Sequence, residues 1–101
     1  MNQILTKNLD AIKQMCINYD IDKLYAFGSV CNENFNVNSD IDILVFFKNI
    51  SIEKYTENYF ELHRSLELTF DREIDLITNN SLKNPFFIEK IEQSKVLLYA
   101  A

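Results

Sequence analysis

Three aspartates stand among apolar residues, and their spacing narrows the chemistry open to this chain. Asp40 and Asp42 open the run DIDILVFF, and Asp75 interrupts EIDLIT. Side chains alternate along an extended strand, so Asp40, Asp42, Leu44 and Phe46 share one face while Ile41, Ile43, Val45 and Phe47 share the other. Both faces are apolar beyond Asp42, as in an inner strand covered on both sides. Two carboxylates then lie side by side at one end of a buried element. Like charges so placed raise one another's pKa and oppose folding unless a cation compensates, and no Lys or Arg occurs from Asn32 to Phe47. In the other run Asp75 and Ile77 share a face, with Ile74 and Leu76 on the opposite one. If the two strands are neighbours, three carboxylates converge. Such a set suits Mg²⁺, which takes one or two protein carboxylates and completes its shell with water and substrate phosphates. Two ions held this way can activate an attacking oxygen and stabilise a leaving one in phosphoryl or nucleotidyl transfer.

Each residue also has a plainer account. Asp40 can serve as a polar strand-start residue after a loop, although acids inside covered strands, such as Asp42 and Asp75, require partners. A calcium loop starting at Asp40 fails: Leu44 falls on a ligand position, Val45 replaces the obligatory glycine, and Ser51 stands where a bidentate Glu belongs. Cys16, Cys31 and the single His63 do not make a zinc set at recognised spacings. Cys16 reads as a small apolar residue on a helix face and His63 as a packed helix histidine. Tyr55, Tyr59 and Phe60 read as core or interface, and Phe86 and Phe87 as a cap on the core or a dimer contact.

The elements that must position these residues follow from periodicity. Ile4, Leu5, Leu9, Ile12, Met15 and Cys16 predict one amphipathic helix over residues 3–18, which Asn18 and Asp20 end. Residues 23–27 (KLYAF) predict a short strand that stops at Gly28, the only glycine. The asparagine-rich residues 32–39 predict a loop, and residues 40–47 the central strand. Tyr55, Tyr59, Leu62, Leu66 and Phe70 mark a helix over about 52–69, with Ser51 as its N-cap. Residues 73–78 are the third strand. Asn84 before Pro85 predicts a capped helix to about residue 93, and VLLY at 96–99 a last strand. The expected class is α/β (α+β): one domain over residues 1–101 around a single sheet.

Composition excludes several alternatives. The formal charge is −5, from 15 acidic and 10 basic residues, and the basic ones are scattered singly. Nucleic acid is therefore not expected as a direct partner, because its binders cluster Lys and Arg. No stretch approaches the ~20 apolar residues of a membrane span, and the N-terminus lacks a signal peptide's apolar core. The reading is a cytoplasmic protein with reduced thiols. At 101 residues there is little room for a separate substrate domain, so the acceptor should arrive on another molecule.

Gly28 and Ser29, ten intervening residues, then Asp40 and Asp42 read as Gly-Ser-x10-Asp-x-Asp. The flanks are YAFGSV, SDIDILV, EIDLIT and FIEKIEQSKVLLY. From about Leu24 to Tyr99 the chain resembles the polymerase-beta-like nucleotidyltransferase superfamily, with a spacing similar to the minimal nucleotidyltransferases of the MntA type. Neither Gly-Ser nor Asp-x-Asp is specific alone; their spacing, strand context and the third Asp together are. The resemblance implies that superfamily's fold, with a single mixed sheet of three to four strands packed by helices. It implies that Gly28 and Ser29 open a helix whose N–H groups and hydroxyl hold a nucleoside triphosphate, a common use of helix N-termini. By the same resemblance, Asp40 and Asp42 ligate the metal on the triphosphate and share a second ion with Asp75. Asp75 also helps to deprotonate the attacking hydroxyl.

The implied reaction is in-line attack on the α-phosphate of ATP, with AMP transferred and pyrophosphate leaving. The implied partner is an all-helical HEPN-type toxin, modified on a tyrosine by this chain acting as antitoxin. Two alternatives stay open: a binding module that neutralises a helical partner by contact, and the catalytic subunit of a two-chain antibiotic-type nucleotidyltransferase. Homodimers and hetero-oligomers are both compatible with the sequence. The chain departs from many relatives at Val30, Cys31 and Asn32, where arginines often follow Gly-Ser. Lys23 and Lys48 are the candidate replacements for that charge, each with a plainer account as a solvated surface lysine.

Overall fold

The computed structural model describes residues 1–101. The chain runs through helices α1 (Gln3–Thr6) and α2 (Leu9–Asn18), strand β1 (Ile21–Phe27), a 3₁₀ turn (Gly28–Cys31) and strand β2 (Ile41–Phe47). Helix α3 (Ile52–Phe70), strand β3 (Ile74–Thr78), a second 3₁₀ turn (Asn79–Ser81), helix α4 (Pro85–Ser94) and strand β4 (Val96–Ala100) complete it. The strands form one sheet in the order β3-β2-β1-β4. β1 is antiparallel to both β2 and β4, while β2 and β3 are parallel. A parallel pair needs a crossover, which α3 supplies. The sheet is mixed and four-stranded, as expected.

The two faces of the sheet are unequal. Ile41, Ile43 and Val45 of β2 join Leu24 and Ala26 of β1, Ile74 and Leu76 of β3, and the apolar stripes of α2 and α3 in a core of 16 buried residues. Leu62 and Leu66 are fully buried there, each contributing roughly 1.5–3 kcal/mol. The opposite face has a smaller cluster of 3, Phe27, Leu44 and Ile91, which is how α4 is seated. The aspartates lie on this thinner side.

Local chemistry explains the element ends. Ser51 Oγ accepts from Lys54 N–H at 3.3 Å, and Asn84 Oδ1 accepts from Phe86 N–H at 2.9 Å with Pro85 in the first turn, so both expected caps are present. Helix α3 stops at Asp71, which takes a left-handed φ of 51°; Asp tolerates this conformation better than most residues. The helix expected over 3–18 is instead two. Asn8 Nδ2 donates to Ile4 O at 2.7 Å, taking the carbonyl that a continuous helix would pair with the Asn8 amide. Asn8 N–H turns to Leu5 O at 3.2 Å. Asparagine competes with the backbone in this way, which periodicity does not register.

The outer edge of β3 is closed by side chains. Ile41 N–H donates to Glu73 O, so the odd-numbered carbonyls of this strand face β2 and the even-numbered ones face outward. Tyr59 Oη donates to Leu76 O at 2.8 Å, and His63 Nε2 lies 2.9 Å from Ile74 O. Both residues come from α3, and they occupy groups that an edge strand would otherwise offer to another chain.

Candidate active site

Asp42 is set by its neighbours on both sides. It stands opposite Phe27 across the antiparallel β1-β2 pair and opposite Asp75 across the parallel β2-β3 pair. The expected adjacency of these two strands therefore holds, and two of the three carboxylates are register partners. Burial is the main cause lifting the Asp42 carboxyl, followed by the charges of Asp75 and Asp40 and a hydrogen bond between the Asp42 and Asp75 carboxyls. Together they push its pKa up to about 6. The field extends further: burial first, then Asp42, raises the Cys31 thiol, and burial first, then Asp75, raises the Tyr59 hydroxyl.

Asp40 is exposed and lies just before β2 rather than inside it. The loop that delivers it is held by a residue the sequence reading passed over. Arg72 Nη1 donates to Asn36 O at 3.2 Å and Ser39 O at 2.8 Å, and its guanidinium sits 4.5 Å from the Phe35 ring centroid. Asn36 Oδ1 accepts from Asn38 N–H at 2.9 Å, and Asn36 N–H donates to Ser39 Oγ. A basic residue next to the third strand was the only signal, and it does not reveal a partner 33 positions away.

Gly28 follows Phe27 with a φ of +73°, a conformation that L side chains rarely adopt. A Cβ on this residue would overlap Asp42 Oδ2. The glycine was expected to allow close approach of phosphate; its immediate neighbour is the Asp42 carboxylate. Gly28 and Ser29 open a 3₁₀ turn of 4 residues, shorter than the helix expected there. The Gly28 N–H donates to Ser94 Oγ at 3.1 Å, which ties this turn to the last residue of α4.

These residues line the largest of four concavities, about 510 Å³. One wall carries Gly28, Ser29, Asn32 and Asp42; the other, from α4, carries Phe87, Lys90, Ile91 and Ser94. Phe87 meets Phe27 edge-on at 6.1 Å, whereas Phe86 is 81% exposed. Lys90 is the only cation in the lining. Lys23 and Lys48 do not substitute for the missing arginines: Lys23 lies opposite Phe46, and Lys48 follows Phe47 at the far end of β2 from Asp42. Six residue steps of ~3.3 Å put Lys48 roughly 20 Å along the strand from Asp42. The α4 residues were missed because their contribution depends on where the helix docks, although Phe87, Ile91 and Ser94 already share a face at helical spacing.

Chemically, the donor set fits a hard divalent cation: carboxylate oxygens on strands, two of them in register and neither in an ion pair. Asp40, exposed and just outside β2, is near enough to Asp42 for its charge to help raise that carboxyl. A cleft walled by a glycine-containing turn, the Asp42 carboxyl and a lysine can accommodate an anionic substrate with its counter-ion.

Residues 10–101 match the family described as Polymerase beta, Nucleotidyltransferase. A protein of Methanocaldococcus jannaschii named "Putative protein adenylyltransferase MJ1379" is 31% identical over 96 residues, 95% of this chain and 92% of that protein. Among solved structures, a toxin-antitoxin with AMP-PNP superposes with a TM-score of 0.70 at 22% identity, covering 93% of this chain and 74% of that one. The complex of tri-AMPylated Shewanella oneidensis HEPN toxin with MNT antitoxin gives 0.65 at 19%, covering 96% and 73%. At these identities the solved structures share the fold.

Proposed function

The chain belongs to the polymerase beta nucleotidyltransferase family and is a nucleotidyltransferase, and from that premise we propose that it moves AMP from ATP to a hydroxyl of a partner protein. Residues 1–101 act as one transferase domain in the cytoplasm, and the partner is a HEPN-type toxin for which the chain is the antitoxin. The observation that carries this reading is the pairing of Asp42 with Asp75 in register, with Asp42 on the same cleft wall as Gly28 and Ser29. Adenylyl transfer is supported by the name of the Methanocaldococcus relative, and the HEPN partner and the adenine nucleotide by the complexes that share the fold. No helix is long and apolar enough to cross a membrane.

In this mechanism Asp40, Asp42 and Asp75 would hold Mg²⁺, which when bound neutralises phosphate charge and favours the ionised hydroxyl. The Gly28-Ser29 turn, with the Ser29 hydroxyl, orients the triphosphate. The acceptor hydroxyl oxygen attacks the α-phosphorus in line with the bridging oxygen to pyrophosphate. That bond breaks as the new oxygen–phosphorus bond forms, pyrophosphate leaves, and the hydroxyl proton passes to Asp75. Catalysis rests on positioning and charge neutralisation.

The test is incubation with Mg²⁺, ATP and a HEPN-type toxin encoded beside this chain, read by intact mass. The expected result is addition of AMP to the toxin, lost in an Asp40→Asn, Asp42→Asn double variant. If no nucleotide is added, and the double variant still neutralises the toxin fully, the chain works by contact alone and the transfer reading fails.

A further inference from the structure

We propose that Lys90 on α4 is the cation of the nucleotide site, contacting the phosphates of the bound triphosphate in place of the charge absent after Gly28-Ser29. This rests on the nucleotidyltransferase reading of the cleft and adds a residue to it. Three observations carry it. Lys90 lines the cleft that Gly28, Ser29 and Asp42 line from the other side, and no other Lys or Arg does. It takes part in none of the chain's three ion pairs. Its position is also fixed by contacts on the same helical face: Ile91 is buried against the sheet, Phe87 meets Phe27, and Ser94 Oγ accepts from the Gly28 amide while donating to Lys90 O at 3.3 Å. The backbone that carries Lys90 is thus tied to the turn at Gly28.

The charge pattern fits an anion between the walls. Asp42, the one acid in the cleft lining, lies on the strand side and Lys90 on the helix side, and the two are not paired with each other. A triphosphate with a divalent counter-ion would meet both: Asp42 would help hold the ion and the Lys90 ammonium would neutralise phosphate charge. A lysine suits this task as a mobile point charge on a flexible stem.

The experiment compares binding of Mg-ATP and Mg-AMP by calorimetry for the wild type, Lys90→Met, Lys90→Arg and Lys83→Met. The last makes the same charge change at an exposed lysine outside the cleft lining. Lys90→Met should weaken ATP about tenfold or more, the scale of one charge-assisted contact, and change AMP less than threefold on the same principle of one lost phosphate contact. Lys90→Arg should retain most of the ATP affinity, and the wild-type affinity should fall more steeply with salt than that of Lys90→Met. Lys90 is exposed, so Lys90→Met should melt with the wild type. ATP binding by Lys90→Met within twofold of wild type, or an equal loss in Lys83→Met, overturns this inference alone. Failure of the wild type to bind any of the common nucleoside triphosphates overturns both it and the proposed function.

Discussion

Asp42 faces Asp75 across the one parallel strand pair of the sheet, and after burial the charge of Asp75 is the main cause raising the Asp42 carboxyl. The two therefore act as a unit, and replacing either removes half of a paired acid site. Asp42→Asn and Asp75→Asn should each lower AMP transfer by about 10²-fold or more, the usual scale for losing a transition-state electrostatic contact. Asp42→Asn should at the same time leave the fold as stable as wild type or more so, because it removes one of several like charges. Transfer rates by intact mass and thermal melts of the same samples check both.

The raised pKa of Asp42 sets a pH dependence of stability. Its folded value of about 6 exceeds the ordinary 3.8, so between these values the folded state binds a proton that the unfolded state has lost. Stability without divalent ions should therefore be greatest at the acid end of that window and fall as pH rises through about 6. The half-exposed carboxyl is screened by solvent, which limits the effect to about 1–2 kcal/mol. Melts in EDTA from pH 4.5 to 7.5 should show the decline in wild type and less of it in Asp42→Asn. Adding Mg²⁺ should offset the decline at the upper end of that range.

Gly28→Ala meets two obstacles, the left-handed φ and the overlap of its methyl with Asp42 Oδ2. The expected cost is about 1–3 kcal/mol in urea unfolding. Pairing it with Asp42→Gly should recover the part due to overlap and leave the part due to φ. Equal destabilisation in the single and double variants would show that overlap contributes nothing.

Arg72→Ala should release the loop before Asp40, since it removes both bonds to Asn36 O and Ser39 O and the contact with Phe35. A loss of about 1–3 kcal/mol is expected, with faster proteolysis within residues 32–39 and slower transfer. Arg72→Lys keeps the charge but not the fork, and should fall between the two.

Much of this site is legible in the sequence because its strands impose a period of two. That alternation placed Asp42 and Asp75 on polar-interrupted faces; the apolar residues around Asp42 marked an inner strand, whereas Asp75 is exposed on the edge strand β3 rather than inside a covered one. The caps at Ser51 and Asn84 were readable for the same reason: their chemistry is local. The break at Asn8 was not, because a side-chain bond to Ile4 O competes with a helix that the apolar pattern alone continues. Arg72, Lys90 and Ser94 stayed hidden because their partners are far away in the chain and meet them only when the loop and α4 dock.

The uneven covering of the sheet separates what must stay rigid from what can open. Local opening costs less where fewer apolar groups are buried, and α4 buries only Ile91, whereas α3 contributes Leu62, Leu66 and Phe70 to the larger core. Amide hydrogens of α4 should therefore exchange well before those of α3. The wall bearing Lys90 is thus the less protected side of the cleft, while the paired aspartates sit on the sheet that the larger core holds.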